Sequence, residues 1–133
     1  MSSVSTLDST DARLGSAQSR NVLGITLEEY FHVGAFRDLI ARGRWYRFEP
    51  RLEAATNRAL DLLAETSTTA TFFAHGWVAE RYPELLRRVV EHGHEIGNSG
   101  YAHRGLKELS ADALIDEFAR SRELLEAAAG VRV

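Results

Sequence analysis

The chain has 133 residues, and 44% of them are hydrophobic, which is enough for one compact domain with its own core. Its 16 basic and 19 acidic residues give a net charge of −3, so the sequence lacks the electrostatic signature of nucleic-acid or anionic-membrane binding. The absence of cysteine excludes disulfides, thiol nucleophiles and thiolate metal ligands. Any metal must therefore be bound by histidine and carboxylate side chains.

The N-terminal segment differs in composition from the rest of the chain. Residues 1–20 are rich in Ser, Thr and Ala and have no hydrophobic period, which predicts a flexible leader before a domain at residues 21–133. No apolar run reaches the length of a membrane span, and the start of the chain lacks the basic-then-apolar order of a signal peptide. A cytoplasmic location is the default expectation.

Short apolar runs predict the strands. The run at 21–27, NVLGITL, predicts a first buried strand. The run at 68–76, TTATFFAHG, predicts a second, because it is β-branched and aromatic. HEIGN at 94–98 predicts a short third strand, and VRV at 131–133 would begin a fourth.

Helical spacing of apolar residues fills the intervals between these strands. Residues 35–43 predict a short helix, and Pro50 opens a longer one. The stretch 78–93 predicts a further helix that stops at its terminal glycine, and residues 110–129 predict a last helix with Ser110 as the N-cap. Four side chains of the last helix are expected to face inward: Leu114, Ile115, Phe118 and Leu125.

Strands that alternate with helices predict an α/β fold with parallel strands and right-handed crossovers. Such sheets place ligand-binding groups at the carboxyl ends of the strands, which here carry Glu28, Glu29, His75 and residues 98–103. Three strands and a stub cannot close a barrel, so an edge of the sheet would stay unpaired unless more polypeptide covers it. We therefore expect part of a larger fold, with self-association or a complementing chain at the open edge.

The stretch TATFFAHGWVAERYPELLRRVVEHGHEIGNSGYAH, residues 69–103, resembles the polysaccharide deacetylases, also called the NodB-homology or carbohydrate esterase family 4 domain. A Thr-Phe-Phe strand, a Pro-Glu-Leu helix and a Gly-His-Glu-Ile-Gly-Asn segment follow in family-like order. The opening at 25–36, ITLEEYFHVGAF, resembles a subgroup, often associated with exopolysaccharide gene clusters, that begins Asp-Val-Glu-Asp-Tyr-Phe. The resemblance covers 22–133, only the N-terminal part of the family's domain, and implies a partial NodB-like (β/α) barrel of about three to four parallel strands with flanking helices.

The resemblance implies hydrolysis of N-acetyl groups on a polysaccharide. In the family a divalent metal, usually zinc, is bound by one carboxylate of the first motif and by two histidines of a His-x-x-x-His motif. A second acid of the first motif acts as general base. The positions of this chain that the resemblance implies as metal ligands are Glu28, Glu29 and His103.

Several positions depart from the family pattern. Thr26 stands where the first aspartate would stand, and its hydroxyl is no proton acceptor at neutral pH. Ser99 replaces one metal-binding histidine, Ala102 replaces an acid of the subgroup, and the later motifs would lie beyond Val133. The chain is therefore expected to have weak or no activity alone. His75, where the family usually has an aliphatic residue, could supply a substitute imidazole.

Three interpretations follow from this combination. The first is an active sugar N-deacetylase. The second is a catalytically silent relative that binds polysaccharide or a partner enzyme through the former substrate groove. The third is a truncated product that folds only with a complementing chain or by pairing its open edge with another copy. The aromatic residues Trp45, Tyr46 and Tyr101 could stack on sugar rings or be covered by neighbouring loops. His32 follows an aromatic pair, which is typical of packing or of groove lining.

Overall fold

The structure is a computed structural model, and it describes residues 21–36 and 38–133. The predicted leader at 1–20 lies outside the described residues. Within the described part, no helix combines the length and the apolar character that a membrane span requires.

One three-stranded parallel sheet forms the centre of the fold. Its strands, in spatial order, are β1 (Gly24–Leu27), β2 (Thr71–Ala74) and β3 (Glu95–Asn98). The register aligns Leu27, Ala74 and Asn98 at the carboxyl ends of the strands. The predicted α/β class with parallel strands is thereby confirmed. Among the described residues β1 and β3 each pair on one side only, and the expected partner at the open edge stays a prediction.

Four helices accompany the sheet: α1 (Leu52–Glu65), α2 (Gly76–Arg81), α3 (Pro83–Glu91) and α4 (Ala111–Ala129). The single helix predicted after β2 is divided in two, because Pro83 lacks an N–H and disfavours helical backbone at the preceding residue. Pro83 instead occupies the first turn of α3, where the missing donor costs nothing.

Two predicted elements differ from the structure. Among the described residues of the range 35–43 the predicted helix does not form, and 3-10 turns occupy Gly34–Phe36 and Arg42–Arg47. Both turns contain glycine, which disfavours a regular helix by its backbone entropy. The fourth strand expected at 131–133 does not form, and the N–H of Val133 donates to Oε1 of Glu126, 3.1 Å away, a bond to a side chain and not to a neighbouring strand.

Helix α4 packs against the domain mainly through its C-terminal half. The side chain of Ser110 caps its first turn, as predicted, by accepting a backbone N–H bond. Leu125 is fully buried, but Ile115 is 66% exposed and Phe118 is 36% exposed, contrary to the inward orientation predicted for both. The reason is that the buried residues of α4 begin at Ser121, so its first turns project beyond the packed surface.

The two faces of the sheet have different surroundings. The helix-covered face contributes Phe72, which is 0% exposed, to a core built with leucines of β1, α1, α3 and α4. The opposite face carries Thr26, Phe73 and Gly97 in lateral register, and Phe73 remains 40% exposed there. A Cβ at Gly97 would lie 2.5 Å from the Phe73 ring, so glycine is needed for this close approach. The open face leads directly to the candidate site.

Candidate metal centre

The strand register brings three residues to one edge of the sheet. Glu28, His75 and Ser99 immediately follow the aligned last residues of β1, β2 and β3. Because side chains alternate along a strand, these positions continue the open face that carries Thr26. His75 follows the central strand and therefore occupies the position between Glu28 and Ser99.

A cluster of three candidate ligands lies at this edge. Glu28, His75 and His103 each offer one ligand atom, and these atoms all lie within 4.8 Å of one another. Nδ1 of His103 is 3.1 Å from Oε2 of Glu28, and the two imidazole centroids are 5.6 Å apart. Oε2 of Glu28 is buried, yet it has no hydrogen bond in standard geometry to any described residue. Such an oxygen needs a donor or a cation to offset its lost hydration.

The imidazole of His75 is oriented as a metal ligand would be. Its Nδ1 lies 3.3 Å from the carbonyl oxygen of Gly100, and because a carbonyl only accepts, Nδ1 carries the proton and Nε2 keeps its lone pair. Burial lowers the pKa of His75, which keeps the ring neutral at neutral pH. A backbone carbonyl that holds the second ring nitrogen is the usual support of a metal-binding histidine.

The loop after β3 is tied to the neighbouring helices. The carbonyl oxygen of Gly100 also accepts the N–H of Gly76 at 3.0 Å and the hydroxyl of Ser121 at 2.8 Å. Gly100 has φ +83°, a conformation that favours glycine. One residue before His103, the N–H of Ala102 donates to Oε1 of Glu117 at 3.0 Å. These bonds fix the path of the loop that carries the third candidate ligand.

Glu29 does not join the cluster, although the sequence predicted it as a metal ligand. Its side chain is 1% exposed and accepts the backbone N–H groups of Arg51 and Leu52 at 3.0 and 3.2 Å. The hydroxyl of Tyr82 donates to the same carboxylate at 3.2 Å. The unpaired N–H groups at the start of α1 attract a negative charge, so Glu29 secures that helix instead of facing Glu28 and its neighbours.

We expect Glu29→Gln to lower the stability of the fold and Glu28→Gln to lower the affinity for zinc. Glu29→Gln weakens charge-assisted bonds to buried N–H groups and should lower the free energy of unfolding by about 1.5–3 kcal/mol while leaving zinc affinity nearly unchanged. Glu28→Gln should weaken zinc binding and leave the apo-protein about as stable. Urea unfolding and zinc titration of both variants measure the two effects. Loss of zinc binding in Glu29→Gln at unchanged stability would contradict this assignment.

The sequence left open whether the aromatic residues stack on sugar rings or are covered by neighbouring parts of the chain, and the structure separates them. Trp45 lines a pocket beside His103, whereas Tyr46 is 67% exposed. Tyr101 is engaged elsewhere, since its hydroxyl donates to Glu80 at 2.7 Å and its ring is covered by a guanidinium group 3.8 Å from the centroid. Trp45 is therefore the aromatic side chain of this set that is placed beside the cluster.

His32 lies in the wall between the cluster and the aromatic residues. It is 5% exposed, and its ring centroid is 4.3 Å from that of Trp45 and 4.6 Å from that of Trp77. Burial lowers its pKa to about 4, and the positive charge of Arg42 acts in the same direction. His32 is therefore neutral at neutral pH. Packing and groove lining, the roles typical of its sequence context, both apply.

Comparison with known proteins agrees with this architecture. The profile of the family described as Polysaccharide deacetylase matches residues 45–133, and the chain belongs to this family. Members of the family act on carbohydrate substrates and are generally metal-dependent.

Individual relatives come from several bacteria. A peptidoglycan-N-acetylglucosamine deacetylase of Bacillus cereus is 35% identical over 75 residues, which cover 56% of this chain and 27% of the relative. A chitooligosaccharide deacetylase of Sinorhizobium fredii is 40% identical over 78 residues, covering 59% and 34%. The chain thus spans about a third or less of the length of these relatives.

Two solved structures illustrate the range of the fold. The peptidoglycan deacetylase PdaC of Bacillus subtilis superposes with a TM-score of 0.62 at 25% identity, covering 84% of this chain and 44% of that one. A carbohydrate esterase family 4 pseudoenzyme from Bacillus anthracis superposes with a TM-score of 0.60, also at 25% identity, covering 84% and 32%. The same scaffold therefore occurs in a deacetylase and in a protein described as a pseudoenzyme.

Proposed function

We propose that this chain binds zinc through Glu28, His75 and His103 and contributes to the removal of N-acetyl groups from a polysaccharide. The observation that carries the proposal is the cluster of these three side chains, with ligand atoms within 4.8 Å of one another. One carboxylate and two imidazoles form the donor set of many catalytic zinc sites, which keep a further position open. The buried Oε2 of Glu28, whose 3.1 Å contact with Nδ1 of His103 lacks standard hydrogen-bond geometry, fits a site that a cation completes.

The proposed site has three protein ligands, as in the family, but one of the two histidines follows a different strand. Where the family has a histidine after the third strand, this chain has Ser99, and where the family usually has an aliphatic residue after the second strand, it has His75. Because β2 lies between β1 and β3, an imidazole at its end remains close to the carboxylate at the end of β1. His75 is thus a substitute for the missing ligand on the neighbouring strand.

The residues divide the proposed chemistry between them. When bound, zinc would polarise the acetyl carbonyl and lower the pKa of a water. Glu28 supplies the balancing negative charge, and Gly100 holds the proton of His75 on Nδ1, away from the site. Thr26 cannot accept a proton from water at neutral pH. Since a positioned general base contributes about 10²–10⁴ in rate, we expect slow turnover.

Zinc binding and acetate release test the proposal together. We expect purified protein dialysed against zinc to retain one ion per chain and to release acetate slowly from an N-acetylglucosamine oligomer, with the release abolished by a chelator. Protein that retains no zinc after dialysis would contradict the proposed centre. The names of the relatives, deacetylases of peptidoglycan and chitooligosaccharides, support the choice of N-acetylated substrates.

A second candidate function is glycan binding without turnover. The threonine at position 26 favours it, because the side chain cannot serve as a base. Glycan binding by zinc-loaded protein with no acetate release above the uncatalysed rate would support this function over slow hydrolysis.

A further inference from the structure

Two buried N–H donors near the proposed metal centre have no hydrogen-bond acceptor in the part of the chain that the structure describes. Nδ1 of His32 accepts the backbone N–H of Glu29 at 3.2 Å, so the proton of this neutral ring lies on Nε2. Nε2 of His32 and Nε1 of Trp45 are both buried, and neither has a hydrogen-bond partner among residues 21–36 and 38–133. Both groups can therefore only donate, and each loses its hydration without replacing it.

The two residues that carry these donors line one pocket. His32 and Trp45 line a cavity of about 240 Å³ together with His103, so the cavity shares a wall with the proposed metal centre. This volume is below the usual 300–1,000 Å³ of small-molecule sites, which limits the occupant to about one sugar ring or one substituent. The charged residues of the lining are Arg42, Arg104 and Glu108, so positive charge predominates there.

We propose that this pocket is a sugar subsite in which the N–H groups of His32 and Trp45 bind an sp² oxygen of the glycan, either an acyl carbonyl or a carboxylate. An sp² oxygen accepts hydrogen bonds and brings no proton of its own, whereas a hydroxyl would bring a proton that needs another acceptor. The occupant would be the sugar residue next to the one whose N-acetyl group lies at the metal. This placement rests on the proposed function, but the binding chemistry of the pocket does not.

Proton NMR of the indole N–H groups tests the subsite on the intact chain. The resonance of Trp45 is identified by its loss in Trp45→Phe. Three tetrasaccharides serve as probes: an N-acetylglucosamine oligomer with acyl oxygens, a galacturonate oligomer with carboxylates, and cellotetraose with hydroxyls alone. We expect a downfield shift with the first or the second probe, which also identifies the source of the oxygen. A shift of equal size with cellotetraose, or no shift with any probe, would overturn the proposal.

Matched variants test the two donors separately. Trp45→Phe keeps an aromatic ring without the N–H, and His32→Asn keeps an acceptor for Glu29 while removing the second ring nitrogen. Each should weaken binding of the effective probe about tenfold for a carbonyl, and by up to about a hundredfold for a carboxylate. Tyr46→Phe, at an exposed neighbouring ring, should leave the affinity unchanged. Unchanged affinity in both folded donor variants would contradict the proposal.

The subsite and the metal centre can fail independently. His75→Ala should lose zinc and still show the indole shift of Trp45, because His75 does not line the pocket. A wild-type chain that shows the shift but binds no zinc would refute the proposed function and leave the subsite standing. A chain that binds zinc and shows no shift would refute the subsite alone.

Discussion

His75→Ala should lower the affinity for zinc by more than about 100-fold. Loss of a residue that merely supports a metal ligand costs about 10- to 100-fold, and His75 is itself a proposed ligand whose removal leaves only Glu28 and His103. In the wild type, zinc at 100 times its Kd should raise the free energy of unfolding by about 2.7 kcal/mol, and this increment should disappear in the variant. Competition with a chromophoric chelator and urea unfolding with and without zinc measure both quantities.

Two further variants control for indirect effects. His92→Ala removes an exposed imidazole at the end of α3 and should leave zinc binding intact. Ser99→His in the His75→Ala background should recover part of the affinity, because it supplies an imidazole at the end of the adjacent strand. Zinc affinity in His75→Ala equal to that of the wild type would show that the ion, if it binds, uses other residues.

Thr26→Asp should raise the rate of acetate release by about 10²–10⁴. Thr26 lies two residues before Glu28 on the open face of the sheet, and an aspartate there would supply the proton acceptor that the site lacks. Zinc affinity should change little by comparison. Initial rates with an N-acetylglucosamine oligomer at saturating zinc measure the effect.

Thr26→Asn is the matched control for this gain. Asparagine has nearly the size of aspartate but does not accept a proton, so its rate should stay at the wild-type level. The rate of Thr26→Asp should also rise with pH as the new carboxyl group ionises, whereas the rate of Thr26→Asn should not show this increase with pH. Equal rates for the two variants would indicate that position 26 does not face the reacting water.

Much of the fold could be predicted from local sequence. The three strands are short apolar runs, and Ser110 is recognisable as an N-cap because capping depends on adjacent residues. The segment at 35–43 could not be predicted in the same way, since the residues on either side of it, His32 and Trp45, pack on Trp77 of α2, and its own periodicity gives no sign of this long-range contact. Tertiary contacts commonly override a weak local preference of this kind.

In the candidate site, too, some features could be predicted from the sequence and others depend on contacts between distant residues. Glu28 and His103 follow from the family pattern, and the structure brings them together. The role of Glu29 could not be read locally, because its partners lie 22 and 23 residues further along the chain. His75 was recognisable as a possible substitute, but only the parallel register shows that it lies beside Glu28. Nothing in the sequence predicts that the N–H groups of His32 and Trp45 are buried without an acceptor among the described residues.

The carbonyl oxygen of Gly100 joins parts of the chain that are far apart in sequence. It accepts hydrogen bonds from the imidazole of His75, the backbone N–H of Gly76 and the hydroxyl of Ser121 in the last helix. A substitution of Ser121 would therefore alter the orientation of the His75 imidazole, 46 positions earlier in the chain, without contacting that ring. Selection for the ligand orientation of His75 would then also preserve Ser121 in α4, a helix that contributes no metal ligand.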